Sequence, residues 1–129
     1  MARCSYTSPI GSDDTKGGSC LKAIVVHNGQ IPLTDLGGGV SRKVLAYTPE
    51  IMIVEVRFEK GGVGAVHAHP HVQSTYVKSG SFRFTIDGED ATVQEGDTIA
   101  FPSNVPHGTV CLEEGILVDV FTPMRADFV

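Results

Sequence analysis

The sequence has few cysteines, no long apolar run and no excess of positive charge, and each shortage excludes a class of protein. Cys4, Cys20 and Cys111 are odd in number and far apart, which excludes a disulfide framework and a Cys-x-x-Cys zinc site. We therefore predict that the thiols are reduced and that the protein is cytoplasmic. No apolar stretch reaches about 18 residues, so no membrane span is expected. The start lacks the apolar core of a signal peptide. The net charge of −5 argues against a nucleic-acid binder, which would normally have a basic face.

Helical periodicity is also missing, because no window of helical length repeats its apolar residues every three to four positions. Glycine (15) and proline (7) instead fall between short apolar runs, which indicates many turns. A chain of 129 residues fits one domain. Residues 1–20 are polar and glycine-rich, and we interpret them as an N-terminal arm that precedes a folded domain at residues 21–129.

Strand patterns fill the rest of the chain. In Ile51–Phe58, apolar residues alternate with Glu55 and Arg57, which predicts a half-buried strand with these two side chains outward. Residues 82–86 alternate in the same way before Asp87-Gly88, a hairpin signal. Further short strands are expected at Thr98–Phe101 and at 116–121, the latter after a turn at 113–115. The pattern is typical of an all-β sandwich or barrel.

A histidine cluster is the main chemical signal. His67 and His69 are two apart, so in a strand their imidazoles would point to one face. Gln73 follows shortly, and His107 lies far along the chain after a proline-containing turn. Imidazole and amide oxygen suit borderline first-row divalent metals. Ordinary surface or core histidines are the alternative. The grouping of these residues with His71 in two turn-bounded motifs favours a metal site.

These motifs resemble those of the cupin superfamily. The segment from Gly61 to Gly80, which contains His67, His69 and Gln73, has the residue spacing of the first cupin motif. The segment from Gly96 to His107 has the spacing of the second. The resemblance implies a single-domain cupin, a double-stranded β-helix or jelly-roll barrel holding one metal ion. The ligands that it implies are His67, His69, Gln73 and His107.

The sequence departs from the general cupin motifs at three positions. Gln73 stands where glutamate is commoner, Asn104 replaces a glycine and Cys111 replaces an asparagine. Asparagine adopts the left-handed conformation nearly as well as glycine, so Asn104 preserves the turn. Cys111 is expected to be a small buried residue. A neutral amide leaves the full divalent charge uncompensated, so the metal should be a strong Lewis acid that favours an anionic ligand. Nickel, iron, manganese and zinc all fit this ligand set.

The final predicted strand places an acid inside an apolar run. By alternation Asp119 shares a face with Leu117 and Phe121, and a lone buried carboxylate is costly unless it is paired or functional. Arg125 follows shortly. A structural Asp119–Arg125 ion pair is one interpretation, and a functional pair is the other.

A second, narrower resemblance favours the functional interpretation. Residues 37–47, the His67-Ala68-His69 segment and the ending from Asp119 to Phe128 are similar to the KdgF family of pectin-degradation cupins, from about residue 36 onward. The resemblance implies a metal-dependent isomerase that linearises 4,5-unsaturated monouronates from pectin or alginate to an open-chain 4-deoxy-5-keto-uronate. It makes Asp119 and Arg125 catalytic, and Arg125 and Phe121 substrate-binding.

Two other functions stay open: another cupin enzyme, such as a metal-dependent dioxygenase, and a non-catalytic cupin that binds a sugar acid. A homodimer is expected, with a small sugar acid as the partner molecule and no nucleic acid or membrane. Arg42 and Lys43 either add positive charge near the cavity mouth or are solvated. Tyr76 and Phe84 are expected in the core, and His71 at the rim of the site.

Overall fold

The computed structural model describes residues 22–129, and nearly all of its regular structure is β-strand. The strands are β1 (Thr34–Gly37), β2 (Val40–Thr48), β3 (Ile51–Phe58), β4 (Val63–His67), β5 (Val72–Ile86), β6 (Glu89–Gln94), β7 (Thr98–Phe101) and β8 (His107–Thr122). Short 3-10 helices cover Asn28–Gln30 and Ala126–Phe128. The all-β prediction is confirmed. The predicted arm at residues 1–20 lies outside the described residues.

The strands pair antiparallel in the order β1-β2-β3-β8-β5-β6, while β4 adds to β8 and β7 adds to β5. The two long central strands, β5 and β8, pair with each other along most of their length. Their register shifts around residues 77–82, and such irregularities bend strands. One half of β8 therefore pairs with β3 and the other half with β4, and this wraps the chain around a single interior.

The turn predicted at 113–115 is wrong, because β8 continues through it and reaches from His107 to Thr122. Glycine makes this continuity possible. A Cβ on Gly80 would lie 2.5 Å from the Glu114 carbonyl oxygen, so the two backbones cross here with no room for a side chain. The turn signal of the acidic pair and its glycine is overridden by pairing with β5.

Alternation along β3 follows the prediction on its apolar face, where Met52 and Val54 are fully buried. The outward placement of Glu55 in solvent is wrong, since its side chain is only 3% exposed. Asn28 covers it and donates from Nδ2 to Glu55 Oε1 at 3.0 Å, while Arg57 Nε donates to Oε2 at 2.8 Å. Lys43 is buried on this outer face too, with Nζ 2.7 Å from Asn28 Oδ1. Lys43 is therefore not near the cavity mouth.

Turn chemistry follows the prediction at two sites. Asp87 (φ 50°) and Gly88 (φ 85°) both take positive φ in the tight β5–β6 hairpin, and Asn104 does so at φ 65°. Tyr76 is 46% exposed, so its placement in the core is wrong, whereas Phe84 is buried as expected. The register shift in β5 decides both. Before the shift, Gln73 and its alternate neighbours point inward and Tyr76 points out, whereas after it Phe84 points inward. No helix of the described part is long and apolar enough to cross a membrane.

Candidate metal centre

Three histidines meet at one end of the barrel. His67 ends β4 and His107 begins β8, and the two are direct partners in the β4–β8 register. His69 lies beyond the end of β4, so the shared-strand argument for His67 and His69 is wrong in its premise. The chain turn at His69 and Pro70 still returns the third imidazole to the pair. The ring nitrogens that could bind an ion all lie within 4.8 Å of one another.

Backbone carbonyls orient all three rings in the same way. Nδ1 of His67 lies 2.9 Å from the Ala65 carbonyl oxygen, and Nδ1 of His107 lies 2.9 Å from that of Val105. Nδ1 of His69 lies 3.1 Å from the carbonyl oxygen of His71. A carbonyl can only accept, so each Nδ1 carries the proton and each Nε2 offers its lone pair to the centre. This is how metal-binding histidines are commonly oriented.

Gln73 reaches the same centre from β5 and is 5% exposed. Its Nε2 donates to Thr75 Oγ1 at 3.0 Å, and Thr75 Oγ1 donates to Asp119 Oδ1 at 2.7 Å. The amide therefore turns its oxygen toward the histidines, with Oε1 3.0 Å from His69 Nε2.

The close approach of Gln73 Oε1 to His69 Nε2 brings two hydrogen-bond acceptors face to face. A protonated His69 would remove the conflict, but burial lowers the pKa of its imidazole below the ordinary 6.5. A cation between the two atoms removes it directly. Neighbouring ligands at about 2.1 Å from an octahedral ion lie about 3.0 Å apart, which is the separation seen. The donor set thus fits a first-row divalent metal. Burial also lowers the pKa of His107, which keeps that imidazole neutral.

Asp119 lies on β8 with its side chain in the cavity that the histidines border. Burial raises the pKa of Asp119 to about 6, while hydrogen bonds from Thr75 and Gln73 oppose the rise. A carboxyl with such a pKa can hold or release a proton near neutral pH.

Arg125 does not form an ion pair with Asp119, so the structural pair considered from the sequence is wrong. Its Nε and Nη2 donate to the Asp127 carboxylate at 3.1 and 2.9 Å, which holds the side of the guanidinium. The end of the guanidinium, formed by Nη1 and the second Nη2 hydrogen, makes no hydrogen bond within residues 22–129, and Arg125 is one of the residues that line the cavity. Asp127 therefore orients Arg125 and leaves a fork that matches a planar carboxylate.

Aromatic and basic side chains form part of the cavity wall, beside aliphatic ones such as Val56 and Leu117. The cavity encloses about 170 Å³. The ring centroid of Phe121 is 5.7 Å from those of both His69 and Phe128. Cζ of Arg42 lies 3.8 Å from the Phe128 centroid, and Cζ of Arg125 lies 4.3 Å from it. Arg42 thus belongs to the cavity wall.

Sequence reasoning gave no role in the site to Thr75, Asp127 or Phe128, and it placed His71 at the rim. Thr75 shares the inward face of β5 with Gln73, two residues away, and alternation could have found it. Asp127 and Phe128 belong to the C-terminal motif, but the sequence did not show that Asp127 pairs with Arg125 or that Phe128 packs against Arg42 and Arg125. His71 lies beside the site without joining the ligand cluster, and its Nε2 is 3.2 Å from the Met124 carbonyl oxygen.

Comparison with known proteins agrees with this architecture. The cupin domain family matches residues 54–121. The pectin degradation protein KdgF of Dickeya dadantii (strain 3937) is 43% identical over 101 residues, which cover 77% of this chain and 92% of that protein.

Two solved structures are also similar. KdgF from Halomonas sp. superposes with a TM-score of 0.80 at 34% identity, covering 84% of this chain and all of that one. An RmlC-like cupin from Shewanella frigidimarina NCIMB 400 gives 0.79 at 42% identity, covering 81% and 95%. The family match spans all three clustered histidines and Asp119.

Proposed function

Because this chain belongs to the cupin family and is similar to KdgF over most of its length, we propose that it is a metal-dependent enzyme that linearises 4,5-unsaturated monouronates. The product is the open-chain 4-deoxy-5-keto-uronate. One observation carries the proposal: three Nε2 lone pairs and one amide oxygen converge beside a cavity that also contains Asp119 and Arg125.

The proposed ligands are His67, His69, Gln73 and His107. When bound there, a divalent ion would supply positive charge that stabilises an anionic oxygen of the substrate. Since all four ligands are neutral, no protein carboxylate cancels that charge at the centre. A uronate is an anion, and it suits such a site.

Asp119 is the proposed proton carrier. An unsaturated uronate ring is a cyclic hemiacetal joined to an enol ether. Asp119 accepts the proton of the anomeric hydroxyl, the bond from carbon 1 to the ring oxygen breaks, and carbon 1 becomes an aldehyde. The electron pair moves onto the former ring oxygen as an enolate. Proton return to carbon 4 gives the ketone at carbon 5, so the reaction is an isomerisation without oxidant or reductant.

Arg125 and Phe121 are the proposed substrate-binding residues. The outward end of the Arg125 guanidinium binds the sugar carboxylate through paired hydrogen bonds, which fixes the ring relative to Asp119. Phe121 supports this arrangement, since its ring centroid lies 5.1 Å from Arg125 Cζ and 5.7 Å from the ring centroid of His69. We propose that it shapes the pocket for the flat part of the unsaturated ring.

The assembly is also a proposal. We propose a homodimer in which residues 21–129 form the cupin domain and residues 1–20 an arm. Ile51 of β3 and Val72 and Tyr76 of β5 are exposed on the outer face of the sheet, and these apolar side chains support pairing with a second copy. The reduced thiol of buried Cys111 suits the cytoplasm that we propose as its compartment.

The test is turnover of 4,5-unsaturated galacturonate, followed as loss of the ultraviolet absorbance of the conjugated double bond above the spontaneous rate. Asp119→Ala keeps all four proposed ligands, and at saturating metal it should lose activity by a factor of about 10² to 10⁴. Asp90→Ala, which removes an exposed carboxylate bonded to Thr85, is the matched control and should keep full activity.

Two results would contradict the proposal. Oxygen uptake with a sugar acid would favour a dioxygenase, and tight binding of the uronate without turnover would favour a sensor. Full activity of Asp119→Ala would remove Asp119 from the mechanism while leaving the reaction in place.

A further inference from the structure

We propose that Thr75 is a positioning residue, which fixes the Gln73 amide so that its oxygen, and not its nitrogen, faces the metal. The inference rests on the metal centre of the proposed function and goes beyond it in explaining how a neutral amide can serve there. The Thr75 side chain is 1% exposed and touches no part of the cavity surface that a substrate could reach.

The position of Thr75 in a directional chain carries the inference. Gln73 Nε2 donates to Thr75 Oγ1 at 3.0 Å, and Thr75 Oγ1 donates its only proton to Asp119 Oδ1 at 2.7 Å. An ionised Asp119 accepts only, so the Thr75 proton must point to it. The lone pairs of Oγ1 then face Gln73 and need a donor, and among residues 22–129 the Gln73 amide nitrogen supplies it.

Reversal of the amide shows what this chain excludes. With Oε1 turned toward Thr75, two acceptors would meet at 3.0 Å, and the Gln73 NH2 group would point its hydrogens at the metal centre. A cation would then be repelled from one side of its own site. Thr75 and the Asp119 carboxylate together make this orientation unfavourable, and a buried unmade hydrogen bond is costly.

The same chain favours glutamine over glutamate at position 73. A carboxylate has no proton to give Thr75 Oγ1, so it would compete with Asp119 for the single hydroxyl proton. The hydroxyl of Thr75 thus links the choice of a neutral ligand at residue 73 to an acid at residue 119. Gln73 lies 2 residues from Thr75 on β5, and Asp119 lies 44 residues away on β8.

The experiment measures Ni²⁺ affinity by competition with a chelator, together with the visible absorption bands of the Ni²⁺-loaded protein. Thr75→Val keeps the shape and removes the hydroxyl, and the affinity should fall about 10- to 100-fold with altered bands. Thr75→Ser restores the hydroxyl and should return both readouts to those of the unchanged protein. Thr109→Val is the matched control, because its buried hydroxyl donates to the Arg83 carbonyl and not to Gln73.

Circular dichroism of the metal-free variants separates misfolding from misplacement of the ligand. Thr75→Ala gives the same test should the valine variant not fold. Equal Ni²⁺ affinity in the unchanged and hydroxyl-free proteins would overturn the inference, as would an equal loss in Thr109→Val or failure of Thr75→Ser to rescue. Loss of affinity in a protein that never turns over uronates would leave the role of Thr75 standing and remove only the proposed reaction.

Discussion

Replacing Asp119 with asparagine should stabilise the metal-free protein near neutral pH, although it removes the proposed proton carrier. Burial raises the pKa of this carboxyl from the ordinary 3.8 to about 6. Ionisation of Asp119 therefore costs more free energy in the folded protein than in the unfolded chain. Asparagine keeps the shape and still accepts the hydrogen bond from Thr75 Oγ1 through its amide oxygen.

The magnitude and its pH window follow from the two pKa values. One pH unit between folded and unfolded pKa corresponds to about 1.4 kcal/mol, so the penalty reaches about 3 kcal/mol as an upper bound. The sign is that of a raised carboxyl pKa: the penalty is absent below the unfolded pKa, grows as pH rises, and is complete above the folded pKa. Asp119→Asn should thus gain at most about 3 kcal/mol near pH 8 and at most about 1 kcal/mol near pH 4.5.

Urea unfolding with a chelator present measures this difference directly, because both proteins are then free of metal. Asp90→Asn is the control, because it makes the same substitution at an exposed acid that does not line the cavity. Equal stability of the unchanged protein and Asp119→Asn near pH 8 would refute the claim that burial disfavours the charge. A gain of the same size at both pH values would attribute it to packing and not to ionisation.

Three further predictions test the metal, the backbone crossing and the cavity wall. Adding Ni²⁺ at about 100 times its dissociation constant should raise the free energy of unfolding by about 2.7 kcal/mol, and His107→Ala should abolish the gain; a retained gain would place the ion elsewhere. Gly115→Ala should lower stability by about 1 to 3 kcal/mol in urea unfolding, because its Cβ would overlap the Ser79 carbonyl oxygen. Arg42→Met should raise KM for the uronate about 10-fold with little change in kcat, whereas Arg83→Met on the outer face should change neither. A fall in kcat with unchanged KM would contradict this and indicate that Arg42 stabilises the transition state instead.

Features set by neighbours in sequence were predictable. The Asp87-Gly88 hairpin and the left-handed Asn104 follow from the φ values that these residues tolerate. The alternation of Ile51–Phe58 found the buried face of β3 because side chains of a strand alternate. The same rule failed for Glu55, whose burial depends on Asn28, a residue 27 positions away that no local pattern connects to it.

The candidate site divides in the same way. The grouping and chemistry of His67, His69 and His107 were sufficient to predict an ion-binding cluster. The reason given for one pair was wrong, since His69 lies outside β4. For Arg125 the sequence reasoning considered only Asp119 as a partner, although Asp127 is also within reach of its long side chain. The structure selects Asp127.

The sequence by itself determined the kinds of group available: neutral nitrogen and oxygen ligands, one acid within an apolar strand, and arginine near the C-terminus. Tertiary structure alone decided their order in space. The register that sets His67 opposite His107, and the one that sets Thr75 opposite Asp119, join residues about 40 positions apart. A shift of one residue in either register would turn every side chain of a strand to the other face, and only the packing of the whole barrel fixes that choice.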